Sequence, residues 1–201
     1  MEIIFSIAIL ILSIIVHEVA HGYAALWQGD RTAEYQGRLT LNPLVHMDPV
    51  GSVLIPLISY NLGGFIFGWA KPVPYNPYNV RNGKVSEALI AAAGPFSNFC
   101  LALIFGTLIR FGGNLGLSTA FLSIAALTVF INLTLGIFNL VPIPPLDGSK
   151  ILFAGLSWDS PIRQFLERYG FFLVFFFAFF LFEYLRPFLN FLFTLFTGYG
   201  L

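Results

Sequence analysis

Five apolar stretches punctuate the chain, at residues 2–28, 50–68, 86–110, 118–141 and 165–185, the last with an apolar tail to residue 198. A helix needs about 20 predominantly apolar residues to cross a bilayer. The first, third, fourth and fifth stretches therefore predict spanning helices. The second carries Pro56, Asn61, Gly63 and Gly64 and leads into "FGWAKPVPYNPYN", where each residue before a proline is pushed toward extended backbone. It predicts a broken segment. The longest polar stretch, residues 29–49, shows strand-like alternation in "RTAEYQGRLTL". Residues 2–28 lack a positively charged leader and a small-x-small cleavage site, and their apolar pattern runs on through Trp27, so they read as a retained span rather than a signal peptide. The dozen or so apolar residues after Pro187 are too few to cross again. They are expected to lie at the interface. The fold class is thus an all-α polytopic membrane protein: a helical bundle of about four full spans plus a re-entrant or β-hairpin segment and an interfacial C-terminal tail, in a single domain over residues 1–201.

Composition sharpens this picture. With 57% hydrophobic and 10% charged residues, the 201-residue chain has the balance of an integral membrane protein. Its formal net charge is zero and it has no basic run, so nothing marks a nucleic-acid surface. Cys100 is the sole cysteine, which excludes an internal disulfide framework and a cysteine-based zinc cluster.

Polar groups inside such spans are expensive, at roughly 2.5 to 3.5 kcal/mol for a charged residue at mid-membrane, and the first span carries three of them in "HEVAH". Histidines four apart share one helix face, so His17 and His21 can bind one metal ion, with Glu18 beside them to act on a water. Taken alone, the spacing also suits a polar patch for helix packing. A third ligand is available in "NLVPIPPLDGSK", where Asp147 follows a proline-broken apolar segment, although Pro-x-x-Asp-Gly is also ordinary turn chemistry. A His, His, Asp set leaves a fourth tetrahedral position open, which is the arrangement of catalytic rather than structural zinc.

With "HEVAH" at 17–21, "GPFSN" at 94–98 and "NLVPIPPLDG" at 139–148 in this order, the chain resembles the site-2 proteases, intramembrane zinc metalloproteases that cut transmembrane substrates. "GRLTLNPLVHMDPVG" and "FGWAKPVPYNP" are further similar to the small prokaryotic branch without PDZ or CBS domains. The resemblance implies one zinc per chain held by His17, His21 and Asp147, Glu18 as catalytic base, and Asn139 as a group that holds the substrate backbone. It implies a hydrolase that cleaves a membrane-spanning protein or peptide within the lipid bilayer, in regulated intramembrane proteolysis. The rival classes are a catalytically silent zinc-binding scaffold and a small solute transporter, whose broken helices and polar residues at membrane depth look alike.

For one metal to touch His17, His21 and Asp147, the C-terminal ends of the first and the 118–141 spans must share a side, so residues 50–68 cannot cross an odd number of times. Arg31, Arg38, Lys71, Arg81, Lys84, Lys150, Arg163 and Arg168 fall on that side, and Arg110 and Arg186 on the other. The excess predicts a multi-pass cell-membrane protein with its site toward the cytoplasm and both termini outside. Among auxiliary candidates, His46 suits a local hydrogen bond better than a spare ligand, Gly94 and Pro95 suit a close approach beside the metal, and Asn98 and Asn132 suit hydrogen bonds between helices. The phenylalanines of "FFLVFFFAFFLF" suit lipid or helix contacts. An edge near "FGWAKPV" is a candidate for pairing with an unwound substrate.

Overall fold

The computed structural model describes residues 2–55, 58 and 71–200. Its long helices are α1 (Glu2–Trp27), α4 (Lys84–Arg110) and α5 (Thr119–Asn139). Short helices α2 (Thr32–Tyr35) and α3 (Pro43–His46) follow α1, and α6 (Asp147–Ala154) follows α5. The last helical path comprises α7 (Pro161–Phe176), a π turn (Phe177–Leu181), a 3-10 turn (Phe182–Leu185) and α8 (Arg186–Thr197). Four helical paths are long and apolar enough to cross a membrane: Phe5–Trp27, Lys84–Arg110, Thr119–Asn139 and Pro161–Thr197.

Helix α4 is the hub, packing against α1, α5, α6 and α8. Ala102 and Ile109 of α4, Ala125, Val129 and Leu133 of α5, and Phe193 of α8 close into one buried cluster, with Phe99, Phe105 and Phe196 packed around it. Small residues on α4 and α5 let the backbones approach while the aromatic rings fill the space between them, the usual economy of membrane bundles. Local chemistry marks the ends. Ser118 accepts from the Phe121 N–H to start α5, and Asp48 accepts from the Val50 and Gly51 N–H groups to start a π-helical turn, Pro49–Leu54.

The described residues bear on three expectations. The alternating "RTAEYQGRLTL" forms no strand; among the described residues none exists. Asp30 instead accepts from the amide and hydroxyl of Thr32, which opens the helical turn α2, and no partner strand lies among the described residues to reward the alternation. The expected hairpin or re-entrant segment at 50–68 is described only at its start, as the π turn; residues 56–57 and 59–68 lie outside the described residues. The segment after Pro187, expected at the interface, packs into the bundle. Pro187 sits in the first turn of α8, where its missing N–H is no loss, so it opens a helix rather than ending one. Leu189, Phe193 and Thr197, spaced by four, form the buried face. Arg110 donates to the Leu195 carbonyl, which ties the end of α8 to the end of α4.

Helix α7, by contrast, packs chiefly against the π turn that continues it. Trp158 fastens its start, lying between the Lys84 ammonium at 4.8 Å and the Arg163 guanidinium at 3.8 Å. Phe171, Phe172, Phe179 and Phe180 are exposed along it, the pattern of a surface that meets lipid.

Candidate metal centre

The first ligand pair comes from helix periodicity. His17 and His21 stand one turn apart on α1, their rings edge to face with Nε2 atoms 3.0 Å apart. Asp147 must reach them from a distant part of the chain. After α5 the chain turns back on itself, with bonds from Val141 N–H to Phe138 O, from Ile143 N–H to Val141 O and from Leu146 N–H to Ile143 O, and it re-enters the bundle as α6. Gly148 makes this fold-back feasible: a Cβ there would stand 2.1 Å from the Leu140 carbonyl oxygen. Asp147 occupies the first turn of α6, where a carboxylate also complements the helix dipole.

The outcome is a convergence of three ligand atoms. Asp147 Oδ2 lies 3.0 Å from His17 Nε2 and 3.2 Å from His21 Nε2. His17 and Asp147 are buried, and the three residues form a set able to hold a metal ion. Gly94 of α4 closes the remaining side. A Cβ at this position would stand 2.5 Å from His21 Cε1 and Nε2 and 2.6 Å from His17 Cε1, so only glycine lets α4 lie against both imidazoles. Pro95 follows it, buried inside α4.

The donor set fits zinc on two counts. Ligand atoms of a tetrahedral zinc at about 2.0–2.1 Å stand roughly 3.3 Å from one another. The distances found here, 3.0, 3.0 and 3.2 Å, match this within a few tenths of an ångström. The second count is electronic: His21 Nδ1 lies 2.7 Å from the Ile90 carbonyl oxygen, which can only accept, so the ring carries its proton on Nδ1 and turns a bare Nε2 toward the centre. His17 Nδ1 likewise meets Asn98 Oδ1 at 2.6 Å. Lone pairs facing a carboxylate call for a cation.

Glu18 lies beside this set, half-buried, with Oε2 accepting from the Val73 N–H at 2.8 Å. The Val73 segment is itself pinned. Arg38, buried, donates from Nη2 to the carbonyls of Lys71 (2.7 Å) and Pro72 (3.2 Å), and the Lys71 N–H donates to the His46 carbonyl. His46 Nε2 lies 2.8 Å from the Thr40 carbonyl. His46 thus sits in the bed under residues 71–73, outside the three-ligand set. Asn139 donates from Nδ2 back to the Leu135 carbonyl at 3.0 Å. The edge expected to pair with substrate is engaged over its described part, residues 71–73, by Arg38, His46 and Glu18.

Asp30, just past α1, organises the adjoining loop. It is fully buried and accepts from the amide and hydroxyl of Thr32, the Asn76 N–H and the Asn79 side-chain amide. Burial alone would raise its pKa, but these hydrogen bonds outweigh it and hold the carboxyl below its ordinary value.

Two contributors escape sequence reasoning. The Ile90 carbonyl has no sequence signal at all. Val73 is apolar, and its contribution is its backbone.

A membrane helical bundle with a buried His, His, Asp centre and an adjacent glutamate has the anatomy of a membrane zinc metalloprotease. The chain belongs to peptidase family M50, the site-2 protease family, whose model matches residues 5–115 and 109–181. It is similar to proteins each named "Putative zinc metalloprotease": YwhC of Bacillus subtilis, 40% identical over 71% of this chain and 65% of that one, and Rip2 of Mycolicibacterium smegmatis, 33% identical over 69% of this chain and 52% of that one. Rip2 of Mycobacterium tuberculosis is 28% identical over 77% of this chain and 60% of that one. The matched region thus covers about half to two thirds of these relatives' lengths. No solved structure matches the chain.

Proposed function

We propose that the protein is an intramembrane zinc endopeptidase that hydrolyses peptide bonds of membrane-spanning substrates, with His17, His21 and Asp147 as zinc ligands and Glu18 as the general base. The convergence of the three ligand atoms beside Glu18, within helices apolar enough to span a bilayer, carries this reading. A zinc ion held there supplies Lewis acidity toward the scissile carbonyl and an activated water. Glu18 accepts the proton of the attacking water and returns it to the leaving amine. The Val73 N–H orients that carboxylate by holding Oε2, which leaves Oε1 to face the reacting groups. Asn139, half-buried at the end of α5, holds the substrate backbone once its amide turns from Leu135.

The site faces the cytoplasm. Arg81, Lys84, Lys150 and Arg163 gather around the ends of α1, α4 and α6, through Gln28, Leu156, Tyr75 and Trp158 respectively, whereas Arg110 lies at the opposite end of α4. Arg186 no longer counts in this balance, since it lines a cavity with Phe130, near the middle of α5. The remaining asymmetry still favours the cytoplasm.

The test is mass spectrometry of a single-span substrate co-reconstituted with the zinc-loaded protein in sealed vesicles. New peptide termini within the span are expected from the parent and none from Glu18→Gln, a variant that keeps its zinc. Zinc retention without new termini in the parent would turn the assignment to a silent scaffold, and solute movement without cleavage to a transporter.

A further inference from the structure

We infer that a single backbone carbonyl, that of Thr128 on α5, sets the tautomer of the metal ligand His17 through two buried amides, so that Asn98 and Asn132 are positioning residues for the metal. The argument follows the direction of each hydrogen bond. Asn132 is fully buried, and one of its amide atoms lies 2.9 Å from the Thr128 carbonyl oxygen. A carbonyl oxygen only accepts, so that amide atom is Nδ2. The same nitrogen lies 2.9 Å from Ser13 Oγ. Asn132 Oδ1 therefore points the other way, toward Asn98, and the Asn98 atom 2.9 Å from it must be a donor, Nδ2. Asn98, also fully buried, is left with only its Oδ1 to present to His17 Nδ1 at 2.6 Å. An amide oxygen cannot donate. His17 must carry its proton on Nδ1, and its Nε2 reaches the metal centre bare.

Reversing either amide would set oxygen against oxygen or nitrogen against nitrogen at a buried position and leave those groups unsatisfied. The chain therefore has one self-consistent arrangement of protons, read from α5 through α4 to α1. His21 reaches the same state by a shorter route, with a backbone carbonyl, Ile90 O, directly on its Nδ1. His17 Nδ1 instead meets the Asn98 side-chain oxygen and obtains the polarity of a backbone carbonyl at second hand. A hydrogen bond on the remote nitrogen fixes which imidazole nitrogen can ligate, and loss of such a partner typically weakens metal binding 10–100-fold. The inference concerns the metal site and is independent of whether that site cuts peptides.

Nitrogen-15 spectra of the metal-free, histidine-labelled protein, together with zinc affinity from chelator competition, test it. In the parent, His17 and His21 should both show a protonated Nδ1. Asn98→Leu should release His17 to a mixture of tautomers and weaken zinc 10–100-fold, while the His21 signals, held by Ile90, stay as in the parent and report an intact fold. Asn132→Leu, which frees the Asn98 amide to reverse, should give a mixed His17 tautomer and a smaller loss of affinity. Asn98→Asp restores an acceptor opposite His17 and should restore the Nδ1–H signature despite lower thermal stability. Ser13→Ala should leave tautomer and affinity unchanged, because Thr128 alone fixes Asn132. A parent His17 protonated on Nε2, or a native tautomer and zinc affinity in both leucine variants, would overturn the proposal.

Discussion

Polar groups occur in two parts of this bundle, near the middle of α5, and the two are treated in opposite ways. Within α1, α4 and α5, Ser13, Asn98 and Asn132 are buried and each has a partner, with Asn132 using both its N–H groups and its oxygen. At the junction of the 3-10 turn and α8, Glu183 and Arg186 pair at 3.2 Å with side chains 72% and 73% exposed, beside a cavity of about 490 Å³ lined by Phe130, Phe182 and Leu189. The first set lies where three helices converge, and through it Asn132 and Asn98 reach His17. The second lies on a helical path only lightly packed, where two charges satisfy each other and little else. The difference teaches that membrane depth does not by itself decide a polar group's role; the closure of its hydrogen-bond network does.

The sharpest break falls on the metal centre itself. Asp147→Ala removes the anionic member of the proposed ligand set, and zinc content measured by mass spectrometry should fall to background, with cleavage lost alongside it; Asp147→Asn should bind zinc more weakly than the parent because a neutral amide replaces the charge. Native zinc content in Asp147→Ala would place the third ligand elsewhere.

Gly94→Ala comes next. Its methyl group would press on both imidazoles at 2.5–2.6 Å, so a stability loss of about 1–3 kcal/mol is expected from overpacking, together with weaker zinc binding in the same preparation. Normal zinc affinity there would mean that α4 can move away from α1.

A smaller contrast tests the comparison directly. Asn132→Leu orphans the Asn98 amide and should lower stability by about 1–3 kcal/mol, whereas the double change Glu183→Gln and Arg186→Gln should alter thermal unfolding in detergent by under about 1 kcal/mol, as for exposed pairs. Equal effects would erase the distinction between the two regions.

The chemistry of the first region was largely legible in the sequence, because helix periodicity is local: the spacing in "HEVAH" places His17 and His21 on one face without any tertiary information. Asp147 was legible as a candidate through the proline-rich turn before it. What completes the site was not legible. The Val73 N–H reaches Glu18 from 55 residues away and the Ile90 carbonyl reaches His21 from 69 residues away, and backbone groups carry no sequence signal. The second region misled for a related reason. The apolar tail after Pro187 reads as too short to cross again, yet Pro187 sits in the first turn of α8, where it is compatible with helix, and the spacing of Leu189, Phe193 and Thr197 acquires meaning only against α4 and α5. The alternation of "RTAEYQGRLTL" misled because Asp30 accepts from Thr32 and opens a helical turn there, and no partner strand lies among the described residues.

The least effect concerns the loop beside the site. The hydrogen bonds to Asp30 hold its folded pKa below the unfolded value, so its contribution to stability is present above the ordinary carboxylate range and is lost as pH falls through the lowered value. Asp30→Asn should therefore be less stable than the parent near neutrality, and the gap should narrow in acid. Thermal melts from pH 7 downward check this, and a gap that widens on acidification would reverse the assignment.

The central claim is that two α1 imidazoles and the α6 carboxylate hold one zinc beside Glu18. Zinc-edge X-ray absorption of the purified protein, with metal stoichiometry measured on the same sample, tests this most directly. About one zinc per chain, in a four-coordinate shell of two imidazole nitrogens and two oxygens, is the expected result, and Glu18→Gln should preserve that shell. A third imidazole in the shell, which would draw in His46, or a spectrum unchanged by Asp147→Ala, would contradict it.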